Sequence, residues 1–195
     1  MDGFERRKQI KKNSILKTAL DLFMMYGVQK VSIAQIAMDA SVSQVTIYNY
    51  FESKHNLVHE VIIYYVETVW SEIEQVLDST VAFPEKIKLL VFNKKQSADQ
   101  INEGFYHEFM KDYAAGNSYI EEFYAKKVFP KLIALFDEGR EKGYIDASIS
   151  NEAILFYIQM LKESMQKEDV YQQILPYTED ITKLIFYGIV GNKEK

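Results

Sequence analysis

The chain of 195 residues has no cysteine, which removes disulfides, thiolate metal sites and cysteine-based redox chemistry. Only 3 prolines and 8 glycines interrupt it, so long helices with few irregular loops are expected. No purely apolar run exceeds six residues, Val61 to Val66 being one such run, and a bilayer span needs ~18. The N-terminus lacks the apolar stretch of a signal peptide. There is no glycine-rich phosphate loop, no GxSxG turn, no CxxC pair and no carboxylate pair in a strand-rich frame, so an enzyme is not expected. His55, His59 and His107 are the only histidines. The run HNLVHE is not the zincin order, and neither a metal nor another cofactor is expected. These absences suit a cytoplasmic protein with no membrane partner.

What is present is a large apolar fraction, 48% of residues, enough to bury a sizeable core. The net charge of −5 is unevenly spread. Residues 1–56 hold eight Lys and Arg against five Asp and Glu, so the rest of the chain is strongly acidic. A basic end on an acidic body is the asymmetry expected when only one end meets phosphate.

That basic end contains the run from Ser32 to Lys54, SIAQIAMDASVSQVTIYNYFESK, which reads as two short helices joined by a tight turn. The first spans Ser32 to Ala40. Ser32 caps its start, Gln35 is placed to complete a capping box, and Val31 with Ile36 forms a hydrophobic staple. Ile33, Ile36, Ala37 and Ala40 make one apolar face. Ser43 caps the second helix, with Val42 and Ile47 as its staple. Ile47 and Phe51 share the inward side of that helix, while Val45, Thr46, Tyr48 and Asn49 point the other way. An ordinary solvated face carries Lys and Glu. This one carries a methyl-bearing group, a hydroxyl, a phenol and an amide, which suit thymine methyls, phosphates and base edges in a major groove. Lys54 follows at the start of the next helix, where an ammonium and free N–H groups can hold a phosphate.

The longer stretch Ile15 to Leu57 resembles the N-terminal domain of the tetracycline-repressor-like (TetR) family of bacterial transcription regulators. The matching pieces are ALDLF..YG, S.AQIA, VS.VTIY.YF and SK..L. The resemblance implies an all-α homodimer. Its N-terminal three-helix helix–turn–helix domain binds a palindromic operator in double-stranded DNA. Its C-terminal helical domain dimerises and senses a small molecule whose binding weakens the operator complex. Two positions depart from the family pattern. Ser41 stands where the turn usually has Gly, at a cost of roughly 1–2 kcal/mol if the backbone is left-handed. Asn49 stands where relatives are often basic.

Taken in order, residues 1–9 read as a mobile arm whose neighbourhood carries Arg6, Arg7, Lys8, Lys11 and Lys12. A helix is expected from Gln9 to Tyr26, with Ile15, Ala19, Leu22, Phe23 and Tyr26 as its core stripe and Gly27 as a left-handed cap. A long helix should run from Ser53 to Asp78. Pro84 suits the first turn of the next, which ends near Asp99. Further helices are expected over Gly104–Ala115, Asn117–Lys142 with a kink or break near Val128 caused by Pro130, Ser150–Lys167 and Pro176–Val190.

The expected organisation is therefore a DNA-binding domain over residues 1–56 and an effector-binding and dimerisation domain over 57–195. Gln44, Val45, Thr46, Tyr48 and Asn49 would meet the groove. Ser32, Tyr50 and Lys54 would hold phosphates. The aromatic middle of the chain offers an effector pocket from Trp70, Phe92, Tyr106, His107, Phe109, Met110, Tyr113 and Phe123, although such residues also serve as ordinary core. The family's dimer interface would fall on Ile154, Tyr157, Ile158, Leu161, Met165, Ile181, Leu184, Ile185 and Gly188. The competing reading is a helical protein-interaction module of the same fold without DNA binding.

Overall fold

A computed structural model describes residues 3–98, 102–114, 118–165, 170, 173 and 175–189. Among the described residues there are helices and no strand. We number the helices α1 Gly3–Tyr26, α2 Ile33–Asp39, α3 Gln44–Phe51, α4 Lys54–Asp78, α5 Phe83–Ala98, α6 Glu103–Ala114, α7 Ser118–Phe123, α8 Phe129–Glu141, α9 Asn151–Met165 and α10 Thr178–Ile189. A short 3₁₀ turn, Val28–Lys30, joins α1 to α2. The expected ends at Asp99, Ala115, Lys167 and Val190 lie outside the described residues. None of the described helices is long and apolar enough to cross a membrane.

The chain forms two compact units, one of Met1–Trp70 with Gln100–Ile120 and one of Ser71–Asp99 with Glu121–Lys195. In the first, Ile15, Ala19 and Phe23 of α1, Ile36 of α2, Ile47 and Phe51 of α3, and Leu57 and Val61 of α4 bury one shared core. Burying each of these side chains other than Ala19 is worth about 1.5–3 kcal/mol. Helix α6 completes this core from far along the chain. Phe105 is buried there, stacked on Phe23 with ring centroids 6.5 Å apart and edge-on to Tyr65 at 5.7 Å.

Three local expectations are corrected. Helix α1 starts at Gly3, so the basic residues lie on helix and not on an arm. Tyr26, placed by its spacing in the core stripe, is 52% exposed at the last residue of α1, and Leu16, not named in that stripe, is buried. Gly27 has a positive φ of 79°, but its ψ of 152° is not the left-handed helical value; it opens the 3₁₀ turn in a region that essentially only glycine enters.

In the second unit, Phe83 stacks on Tyr144 with centroids 5.3 Å apart, and Gly139 of α8 lies against both Phe83 and Ile145. A Cβ at Gly139 would sit 2.7 Å from Phe83 Cζ and Ile145 Cδ1, so any larger residue here would have to displace one of these side chains. Helix α5 packs along α10. The break expected from Pro130 is a π-helical turn over Tyr124–Val128. Phe129 N–H donates to Tyr124 O, five residues back, and Pro130, which has no N–H to give, enters at the start of α8.

Lys86 is 5% exposed, the one buried charged side chain among the described residues. Its ammonium donates to the Leu77 carbonyl at the end of α4 (3.0 Å) and to Glu138 of α8 (2.9 Å). Glu138 also accepts from Lys142 at 2.6 Å. Hydrogen bonds from Lys142 and then Lys86 hold the Glu138 carboxyl below its ordinary value of 4.5. A carboxyl lowered in the folded state adds stability that is complete above the unfolded value and lost as pH falls through the folded one. Thermal melts at pH 7 and pH 3.5 should therefore show a smaller acid-induced drop in Tm for Glu138→Gln than for wild type. Lys86→Ala should cost about 1–3 kcal/mol at pH 7 by stranding its partners.

Candidate nucleic-acid interface

The helix–turn–helix is built by local chemistry. Ser32 Oγ accepts from Gln35 N at 3.1 Å, and Ser43 Oγ accepts from Thr46 N at 3.0 Å, so each hydroxyl caps its helix. The reciprocal half of the first capping box is not made, because the Gln35 amide donates instead to the Asp39 carboxylate one turn on, at 3.0 Å. Between the helices, Val42 N donates to Ala37 O and Ser41 N to Met38 O, the paired bonds of a Schellman ending. Ser41 occupies its left-handed position with φ 54°.

A second left-handed joint closes α3. Glu52 has φ 64° and ψ −40°, and Ser53 N donates to Phe51 O at 2.7 Å. That is a γ-turn of the rare, strained hand. Ser53 then caps α4, its hydroxyl accepting from Asn56 N at 3.1 Å. Ser41 and Glu52 are the two non-glycine residues of positive φ among those described, and they bracket α3.

Between these joints α3 turns Ile47 and Phe51 into the core and leaves Val45, at 66% exposure, and Tyr48, at 47%, outside with Gln44 and Asn49. Thr46 is half-buried, its hydroxyl 2.9 Å from Ser43 Oγ. The three residues expected at phosphates all have intrachain roles. Ser32 caps α2, Tyr50 OH donates to Lys8 O at 3.3 Å, and Lys54 Nζ donates to the Val28 carbonyl at 2.8 Å. Lys12 pairs with Glu60 at 3.0 Å and lies over the Phe51 ring, whereas Arg6, Arg7, Lys8 and Lys11 are exposed along α1.

Helix α6 grips the connector between α1 and α2. Gln29 donates to Glu108 at 3.0 Å, and Asn102, whose Oδ1 accepts from Gly104 N, lies against Gly27. His59 of α4 is 2.8 Å from Asp112 of α6, so it has a protein partner and not only solvent. Of the expected effector residues, Trp70 is buried, Tyr106, Phe109 and Met110 are half-buried and His107 is exposed, all in the first compact unit. Phe109 lies against the first unit's core, its ring 6.3 Å from those of Tyr65 and Tyr106. Phe123 falls in the second unit. The side chains of Phe92 and Tyr113 lie outside the described residues.

Of the expected dimer face, Ile154 is a correction. At 1% exposure it is packed within its own chain and offers nothing to a second one. Tyr157, Leu184 and Gly188 are exposed, Ile158, Leu161 and Ile181 half-buried, and the side chains of Met165 and Ile185 lie outside the described residues. Phe156, Met160 and Tyr187 extend the exposed apolar surface of α9 and α10. Phe156 and Met160 stand at i, i+4, but nothing in the sequence says which stripe faces out.

Residues 15–61 match the family of bacterial regulatory proteins known as the tetR family. The match covers this N-terminal segment and not the rest of the chain. Over nearly its full length the chain also has the fold of solved transcription regulators. The fatty acid degradation regulator FadR from Bacillus halodurans is 21% identical, with 94% of this chain and 96% of that one covered and a TM-score of 0.61. The ketosteroid transcriptional regulator KstR2 of Mycobacterium tuberculosis is 17% identical, covering 93% and 95% with a TM-score of 0.54. A gamma-butyrolactone receptor is 16% identical, covering 95% and 91% with a TM-score of 0.59. No curated protein sequence matches the chain.

Two substitutions test the joints. Gly27→Ala would force an L-residue into a glycine-only conformation and bring its Cβ to 2.9 Å from Asn102 Oδ1. Urea melts should show a loss of about 1–3 kcal/mol. Ser41→Gly should move the other way, raising stability by up to about 1 kcal/mol as the left-handed strain is relieved.

Proposed function

We propose that the chain is a dimeric, sequence-specific DNA-binding transcription regulator, a repressor released from its operator by a small-molecule effector. The observation that carries this reading is the outer face of α3. Val45, Tyr48 and Asn49 are exposed, a helix in a major groove needs such a face, and the capped ends hold it in place. Gln44 and Thr46 stand at its edge. The exposed cations of α1 supply sequence-independent affinity for phosphate. In this reading residues 1–56 form the part that meets DNA, Ser32, Tyr50 and Lys54 lie beside the backbone as well as holding the domain together, and residues 57–195 serve sensing and dimerisation.

Two heads are needed for a palindromic site, and the exposed apolar residues of α9 and α10 support a pairing surface in the second unit. One structural neighbour is a gamma-butyrolactone receptor, which supports a small organic effector here. Tyr106, Phe109 and Met110 are the candidate contacts. They share α6 with Phe105, Glu108 and Asp112, which touch α1, the connector and α4, so an effector that moves α6 would disturb the seat of the reading head.

Selection of operator fragments from sheared genomic DNA, followed by affinity measurements across a salt series, tests the proposal. A palindromic sequence should be enriched. Failure to enrich any sequence, with salt-insensitive background binding, would favour the interaction-module reading instead. Tyr48→Ala should weaken operator binding by about 1–3 kcal/mol with no loss of fold. Arg7→Ala should weaken all DNA alike and reduce the salt slope by about one.

A further inference from the structure

Helix α1 reaches well past the core it helps to form. Its first buried side chain is Ile15, and none from Gly3 to Ser14 is buried. These outlying turns carry Arg6, Arg7, Lys8, Lys11 and Lys12 against one acid, Glu5. Lys12 is half-buried and pairs with Glu60. Arg6, Arg7, Lys8 and Lys11 are exposed and form no ion pair among the described residues. The four repel one another, and Arg6 and Arg7 also stand near the positive end of the helix dipole. A surface of that charge is complementary to a polyanion.

The direction of these turns is set by α3. Tyr50 OH donates to the Lys8 carbonyl at 3.3 Å. Lys12 Nζ lies over the ring of the next residue, Phe51, 5.8 Å from its centroid. Lys8 and Lys12 are about one helical turn apart, so consecutive side chains of α3 hold α1 at two successive levels.

We infer that Tyr50 is a positioning residue, whose hydroxyl aims the cation-bearing turns of α1 at the phosphates flanking the groove that α3 enters. Both contacts start from α3. Wherever that helix seats, the α1 cations are carried to the same place on the backbone. Holding them in advance spares the DNA complex the cost of ordering them. This rests on the DNA-binding reading above, and it has Tyr50 act through the cations of α1 and not through a phosphate of its own.

A mutant cycle tests it. Affinities for a selected operator and a scrambled duplex are measured across a salt series with four proteins. These are wild type, Tyr50→Phe, the quadruple variant Arg6→Gln, Arg7→Gln, Lys8→Gln and Lys11→Gln, and the two combined. Tyr50→Phe should weaken both duplexes by roughly two- to ten-fold, the worth of one hydrogen bond, and make the salt slope shallower. Added to the quadruple variant it should change neither affinity nor slope. In the free protein, amide exchange from Arg7 to Lys12 should be faster in Tyr50→Phe than in wild type. If Tyr50→Phe costs the same factor in both backgrounds, the hydroxyl meets DNA itself, and the inference fails while the DNA-binding reading stands. Unchanged affinity or unchanged exchange in Tyr50→Phe, with wild type selective, also overturns it. If wild type selects no sequence, the DNA-binding reading fails, and the role of Tyr50 with it.

Discussion

A helix of eight residues has no stability of its own in water, because nucleating it costs more than its few hydrogen bonds return. The outer face of α3 exists only because Ile47 and Phe51 are anchored in a core that α1, α2, α4 and α6 share. Everything around that helix follows from the requirement. Ser43 caps its start, Lys12 covers Phe51 at its end, and the α4 cap begins two residues further on. Short connections leave no slack, so the chain must turn sharply on both sides, and both turns use residues with φ above zero. The strain is an expense of placing a short helix rigidly, and burial of two large side chains more than offsets it.

The parts of this arrangement that depend on neighbours in sequence were legible in the sequence. Caps at Ser32 and Ser43, the apolar face of Ile33, Ile36 and Ala37 and the inward pair Ile47 and Phe51 are properties of a few consecutive residues, and the structure has them; the left-handed position of Ser41 was suggested only by the resemblance, which has Gly there. Parts that depend on distant partners were not legible. Phe105 looked like one aromatic among many, because nothing near it says that its ring belongs on Phe23. A division of the chain into a head and a body cannot show that α6 returns to the head's core. The first two turns of α1 were hidden for another reason. They carry no apolar stripe, and their support comes from polar contacts such as Gln9 with Asn13 and Tyr50 with the Lys8 carbonyl.

Glu52 shows the opposite case, in which sequence propensity argues against the observed conformation. Glutamate seldom adopts positive φ, so no reading of local preference would put a γ-turn there. The Phe51–Ser53 hydrogen bond and the capped start of α4 impose it. Disagreement between local preference and observed geometry is itself informative, since natural sequences tolerate it mainly where function demands it.

The enclosure of Lys86 has a consequence for chemistry done on the folded protein. Amine-directed reagents modify lysines in proportion to access, and the other described lysines are at least partly open to solvent. Lys86 lies beneath α4 and α8 with its ammonium held by a carbonyl and a carboxylate. Its acylation must wait for the second unit to open, which ties the labelling rate to a conformational equilibrium. A single native side chain thus serves as a built-in clock for the breathing of one half of the molecule, with no engineered probe.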